Sequence, residues 1–396
     1  MLPRIKISYM NGQLGTVGES PDGLFAIVCV ATAVESKFVL KKGYSVRSMA
    51  DVADLGITKN NNAQLYKHLE DFYNEAESGT EVVLFGIPSA DALTAVLNKD
   101  TGSARDLITA MNGKLRGLFV SGKSEEAGEA GETGKDVLAK SVLDALPVAQ
   151  ALAEWATEDL YAPMFVILEG IGYTGSAEVS DLSEQAYNRV GVILGDTTAN
   201  SSGACLGTLA GRLSQIPVHR NVGRVRDGAL YPPEMYLGDR EVGEASSLVA
   251  ALYDKAYITP RTYVGKSGYF FADDRLACES TDDYAHITNR RVVDKAYRIA
   301  YDALLEYMLD EIEVNEDGTM QVGVIKAWQQ SVENAINRSM TAAGELSSGE
   351  GGEGCECYID AKQNVLATSK VEVVLRVRPY AYARYIHVQL GFLVNA

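Results

Sequence analysis

Residues 261–310 read RTYVGKSGYFFADDRLACESTDDYAHITNRRVVDKAYRIAYDALLEYMLD, and the organisation of the chain turns on them. Two aromatic-rich, strand-like runs and a polar loop lead into a long helix. Val293, Ala296, Ala300, Ala303, Leu304 and Tyr307 recur at spacings of three and four, which lays one apolar stripe along a helical face. Such a stripe has to be buried. Around it stand Arg290, Arg291, Lys295 and Arg298, which outnumber the acids until Asp302 and Glu306, so the helix starts positive and ends negative. The pattern predicts a helix that holds a core on one side and grips an acidic partner on another.

Working outward, the amino-terminal side alternates strands with helices. Apolar runs at 24–34, 37–40, 81–87, 118–121, 164–168 and 190–194 read as strands, with helices between them at 48–54, 63–77, 104–112, 137–157, 182–189 and 202–215. Val82, Val83, Leu84 and Phe85 are apolar in succession, as in a strand buried on both faces of a helix-covered sheet. The pattern loosens over 217–254, which places a domain boundary near 255. Beyond the opening stretch come a short run at 321–325, a helix at 326–346, a Gly/Glu-rich loop at 347–354 and two period-two runs, 371–377 and 386–394. The expected class is α/β grading to α+β. An α/β domain spans 21–255, an α+β domain 256–380, and strand-forming arms occupy 1–20 and 381–396.

Bulk chemistry excludes several functions. With 36 basic and 53 acidic side chains the net charge is −17, which argues against general nucleic-acid binding, because that affinity rests on Lys and Arg neutralising phosphates. Five cysteines without CxxC spacing suit neither a disulfide framework nor a zinc site, and point to a reducing cytoplasm. The first 15 residues lack the apolar core of a signal peptide, and the longest apolar run, 24–34, is about half of the ~20 residues that cross a bilayer. No membrane anchor is expected.

Two glycine motifs invite a nucleotide reading. Gly117-LFVS-Gly122-Lys123-Ser124 matches a phosphate loop, but its intervening residues are themselves a strand and an acidic loop follows. Gly170-Ile171-Gly172-Tyr173-Thr174-Gly175, with Asp196 about 20 residues on, outlines a dinucleotide fingerprint, although the SAEVSDLSEQ that follows is too polar to open a helix. A Rossmann-type enzyme using Gly170–Gly175 and Asp196 is therefore the alternative function. Cys355-Glu356-Cys357 reads as part of a solvated loop, and the four histidines are not spaced as metal ligands. No catalytic residue, cofactor or metal is expected. A terminal alternating strand is either an edge strand of its own sheet or one donated to a neighbour's, since unpaired N–H and C=O groups invite strand addition.

At this point the residues resemble a family. The order of 261–312, with an Arg-Thr before a Gly-aromatic strand and an Arg-Arg pair opening a long helix, is similar to the core of contractile tail sheath subunits. The segments YSVRSMADVADLGI (44–57), LYKHLEDFYNEAESGTEVVLFGIP (65–88), GTLAGRLSQIPVHRNVGRV (207–225) and VEVVLRVRPYAYARYIHVQLGFLV (371–394) resemble the corresponding sheath patterns. The likeness is greatest to the shorter sheaths of phages and phage-derived injection systems. It implies a structural subunit, not an enzyme, that polymerises helically around an inner tube and contracts from a metastable extended state. The partners implied are further copies, the inner tube protein, and baseplate and tail-terminator proteins. Assembly would occur in the bacterial cytoplasm, and the product would be a virion tail or injection particle. The resemblance assigns inter-subunit strand exchange to Ile5, Ile7, Tyr9, Ile386, Val388, Leu390 and Phe392. Tube contact falls to Arg290, Arg291, Lys295 and Arg298, or to Lys326 and Arg338. The 21–255 domain would face outward and the helix and its strands would form the inner core.

Overall fold

The computed structural model describes residues 21–123 and 138–390. Two compact units divide at 298/299. In chain order the first contains β1 (Phe25–Val30), β2 (Gly43–Val46), α1 (Met49–Asp54), α2 (Ala63–Glu75), β3 (Val82–Ile87), α3 (Leu93–Val96), α4 (Ser103–Ala110), β4 (Gly117–Ser121), α5 (Lys140–Glu158) and β5 (Phe165–Glu169). There follow β6 (Ala186–Tyr187), β7 (Val190–Ile193), α6 (Leu206–Gln215), β8 (Tyr236–Leu237), β9 (Arg240–Glu241), α7 (Ser246–Asp254), β10 (Pro260–Arg261), β11 (Phe270–Phe271) and β12 (Ala277–Cys278). The division falls within α8 (Ile287–Leu305), and the second unit continues with α9 (Val322–Ile336), β13 (Cys355–Ile359), α10 (Val365–Thr368) and β14 (Val373–Val377).

A six-stranded sheet in the order β2-β3-β1-β4-β5-β7 centres the first unit. Its last five strands are parallel and β2 alone is antiparallel. Helices cover both faces of such a sheet, so every residue of β3, β4, β5 and β7 is buried and the strands read as unbroken apolar runs. Phe25, Phe119 and Phe165 meet edge to face with centroids 5.2 to 6.1 Å apart. Gly117 lies beneath this cluster: a Cβ there would stand 2.9 Å from the Phe165 ring. On one face α2 and α6 cross closely because Gly207 and Gly211 bring the two backbones together. A Cβ at 211 would sit 2.6 Å from the Phe72 carbonyl oxygen.

The second unit is built on a hairpin-like ladder in which β13 pairs antiparallel with β14, from Cys355 opposite Val377 to Ile359 opposite Val373. The strand β13 alternates buried and exposed, and Ile359 joins Met320, Ile325 and Val365 in a small core.

Several expectations need correction. Residues 37–40 form only a bridge, Val34 to Phe38, and the strand comes later as β2. The helix expected at 182–189 is a short 3-10 turn, Leu182–Glu184, capped by Asp181, followed by β6. The expected short run at 321–325 is the opening of α9, and α7 forms within the stretch that looked loosely patterned. Cys355 and Cys357 lie on the buried face of a strand, not in a solvated loop. Just past residue 255, Ile258 bridges in parallel to Ile193 beside the main sheet.

Candidate assembly surfaces

The start of α8 is fixed by a carboxylate. The Thr288 backbone N–H donates to Asp274 Oδ2 at 2.8 Å and the Thr288 hydroxyl donates to the same oxygen. His286 Nδ1 lies 3.0 Å from Asp274 Oδ1, and Asn221 Nδ2 bridges Asp273 and Asp274 at 2.6 and 2.8 Å. Burial by itself would raise the Asp274 carboxyl, but His286 and Thr288 hold it well below the usual carboxylate range. Asp273, Asp274 and His286 bring three potential metal-ligand atoms within 4.8 Å of one another. Protein donors already occupy the Asp274 oxygens, so the group works as a helix cap.

The four basic residues of α8 are drawn together, but inward. Arg290 is 6 % exposed; its Nε lies 3.3 Å from Asp294, and its guanidinium covers the Tyr284 ring at 4.2 Å. Asp294 also takes Arg189 at 3.3 Å. Arg291 is 4 % exposed and donates to the carbonyls of Asp22 and Ile216. Lys295 and Arg298 close on the Asp22 carboxylate at 2.6 and 3.0 Å. Burial opposes the charge on Asp22, yet these cations keep its carboxyl below the ordinary value. The result is a clamp on the short 3-10 turn, Pro21–Gly23, that precedes β1. It also relocates the apolar stripe: Val292, Ala296 and Ala300 are buried, alongside charged Arg290, Arg291 and Asp294. Lys326 on α9 and Arg338 in the following π-helical turn are exposed.

The carboxyl-terminal stretch is the reverse. After β14, residues 378–390 are assigned to no helix or strand. Tyr385, Ile386, Val388 and Leu390 expose 75, 77, 79 and 97 % of their surface. Ile5, Ile7, Tyr9 and Phe392 lie outside the described residues. Among the described residues the β13–β14 sheet has two strands only, so each strand has one edge without a ladder partner.

The geometry does not favour the dinucleotide alternative. The glycines at 172 and 175 have φ of +76° and +89° and make turns, and no helix opens after Gly175. A Cβ at 175 would stand 2.8 Å from the Leu237 carbonyl oxygen. Asp196, the expected ribose ligand, is held by Lys67 Nζ at 2.6 Å. The carboxyl ends of β4 and β5, where doubly wound sheets bind ligands, are filled by side chains. Ser121 donates to Glu169, Gln64 Nε2 donates to Ser121 at 2.7 Å, and His68 Nε2 lies 3.2 Å from Ser121. The Ala204 N–H donates to Glu169 at 2.8 Å. Burial pushes the Glu169 carboxyl up, but His68, Ser121 and Ala204 together bring it down to about 2. Ser121 bonds to Glu169 directly and not through His68, and all three are at most 2 % exposed, so the cluster ties α2 and the 200–204 loop to the sheet. The sequence reading missed it; the signal was a Ser and a Glu closing two buried strands.

No helix among the described residues is long and apolar enough to cross a membrane. No curated protein matches the chain. Solved structures do. The anti-feeding prophage helical sheath in the contracted state is 17 % identical, with a TM-score of 0.64 over 99 % of both chains. The sheath complex of the extracellular contractile injection system PVC, also contracted, is 13 % identical, with a TM-score of 0.60 over 99 % of this chain and 97 % of that one. The sheath tail protein from Desulfitobacterium hafniense is 11 % identical, with a TM-score of 0.50 over 90 % and 94 %. The expected likeness to contractile tail sheath proteins therefore holds at the level of fold across nearly the whole chain. The N-terminal-domain model of DUF2586 matches residues 2–275 and its C-terminal-domain model matches 283–396, so this chain, with the fold of a contractile sheath protein, belongs to the DUF2586 family.

Proposed function

We propose that the chain is a structural subunit of a contractile sheath, polymerising helically around an inner tube and contracting from a metastable extended state to drive that tube through a target envelope. The observation that carries this reading is the exposed, alternating apolar stretch after β14, set beside a two-stranded sheet with open edges on a sheath fold. Apolar side chains at period two are complementary to a sheet edge, and a neighbour's edge would bury them. In this reading Ile386, Val388, Leu390 and Phe392 at one end, and Ile5, Ile7 and Tyr9 at the other, exchange strands between copies. A contact between unlike surfaces that does not close generates a helical array. Contraction then needs only rigid-body repacking while the arms stay paired.

Partners in this reading are further copies, the inner tube protein, the baseplate and the tail terminator, assembled in the bacterial cytoplasm. Tube contact is best supported for Lys326 and Arg338, which are exposed, because Arg290 and Arg291 are spent on Asp294 and on backbone carbonyls. Negative-stain electron microscopy and sedimentation of the full chain, with and without tube protein, test the proposal. Helical tubes or rings are expected, and deletion of residues 381–396 should leave discrete particles. A full-length chain that stays small, or that assembles unchanged after the deletion, would overturn it.

A further inference from the structure

The helix α5 carries a proline in its interior. Pro147 has no N–H, so the Leu143 carbonyl one turn earlier lacks its helical donor, and the pyrrolidine ring crowds that same oxygen. The buried face of the helix is supplied by Val142, Ala145, Leu146 and Ala149, whereas Pro147 is exposed, so the core does not require it. A residue that breaks the local rule on a helix surface directs attention to what that surface holds.

The surface is one wall of an open cleft of about 500 Å³, within the range of small-molecule sites. Leu143, Asp144 and Pro147 line it from the helix, and Leu182, Gln185 and Tyr187 line it from the segment that leads into β6. Leu143 and Pro147 stand one turn apart on the same face, which puts the carbonyl between them in the cleft wall. Asp144 is exposed and has no ion-pair partner among the described residues. The exposed charges along the two walls are Asp144, Glu178 and Glu184 against Lys140 alone. The adjoining loop already holds one ammonium by its oxygens: Lys255 Nζ donates to the carbonyls of Ala177 and Val179 at 2.9 and 2.8 Å.

We infer that the cleft binds an aliphatic cation, an alkyl chain ending in a protonated amine. The ammonium donates to the Leu143 carbonyl and the Asp144 carboxylate, with a third N–H left for the Gln185 amide oxygen, and the alkyl chain lies on Leu143, Leu182 and the Tyr187 ring. An ammonium has three donors and no acceptor, which is the complement of a wall of oxygens. The site lies within the first unit and owes nothing to the sheath reading, so either can fail alone.

Isothermal titration calorimetry of the full-length chain with n-hexylamine tests the site, with n-hexanol as the neutral counterpart. Saturable single-site binding is expected, about tenfold tighter for the amine because its hydrogen bonds are charge-assisted. Asp144→Asn should weaken the amine about tenfold and leave Tm within about a degree, since the residue is exposed. Pro147→Ala returns a helical N–H to the Leu143 carbonyl, so it should weaken the amine severalfold while raising Tm by a few degrees; lost contact is thereby separated from lost fold. Nα-acetyl-lysine methylamide tells the two sources of an ammonium apart. Tighter binding than hexylamine supports the cleft as a seat for a lysine side chain of another protein, and weaker binding supports it as a site for a free amine. Equal affinity for hexylamine and hexanol overturns the inference, because the cleft would then read the alkyl chain and not the charge. So does amine binding left unchanged by either substitution, the mark of counterions gathered loosely by a chain of net charge −17. Absence of hexylamine binding overturns it as well.

Discussion

The first half of α8 and the stretch after β14 have opposite chemistry and opposite fates. Arg290, Arg291, Lys295 and Arg298 are charged and are packed inward onto Asp294, Asp22 and backbone carbonyls. Ile386, Val388 and Leu390 are apolar and stand in water. Residue type alone would have assigned the first group to a surface and the second to a core. The contrast separates two kinds of interaction. Charges inside the first unit have partners within the same chain and stabilise the subunit, whereas the exposed apolar stretch gains free energy only when another surface covers it.

The strongest way to break the comparison is to remove the acid shared by two buried arginines. Asp294→Ala leaves Arg189 and Arg290 without their carboxylate and should cost about 3–5 kcal/mol of stability, read from urea unfolding followed by circular dichroism. A loss below 1 kcal/mol would mean that these charges reach water, and the inward reading of α8 would fail.

Acid titration is the next largest effect. The Glu169 carboxyl is held at about 2 against an ordinary 4.5, so its contribution is complete above pH ~4.5 and is lost as pH falls toward 2. The amount is about 3 kcal/mol, by the conversion of pKa shift to free energy. Glu169→Gln should flatten that part of the stability profile, and an unchanged acid limb would place the loss elsewhere.

Asp22→Asn tests the clamp. It removes the charge that Lys295 and Arg298 share and should cost about 1–2 kcal/mol near neutral pH. The difference from the unsubstituted chain should narrow as pH drops below the ordinary Asp value, because the Asp22 carboxyl is depressed in the fold and its contribution vanishes once it is protonated. Smallest of all for the subunit is Val388→Asp, expected within about 0.5 kcal/mol for an exposed position. If the chain assembles as proposed, the same substitution should abolish its pelleting, and normal pelleting would return Val388 to an idle surface residue.

Much of the first unit was legible before any coordinates. Continuous apolar runs such as 82–85 identify strands covered on both faces, because alternation disappears when neither face meets water. The position of α8 was equally readable, from apolar residues at helical spacing. Short pairings were not: β6 joins β12 through two residue pairs separated by about 90 residues, and nothing local in either dipeptide announces the other. Cys355-Glu356-Cys357 looked like loop because the glycine-rich residues before it dominate the local composition, while its strand state depends on β14 lying opposite.

The candidate surfaces divide the same way. The sequence by itself determined that apolar residues recur at period two over 386–394 and that α8 begins with a cluster of cations. Each follows from residue type and spacing. Only the tertiary structure decided which way those cations face, because a guanidinium is buried or exposed according to whether a carboxylate or carbonyl lies within reach. The Asp22 that meets Arg298 stands 276 residues away along the chain. Periodicity locates a helix, but the partners of its polar side chains are set by the packing of distant segments.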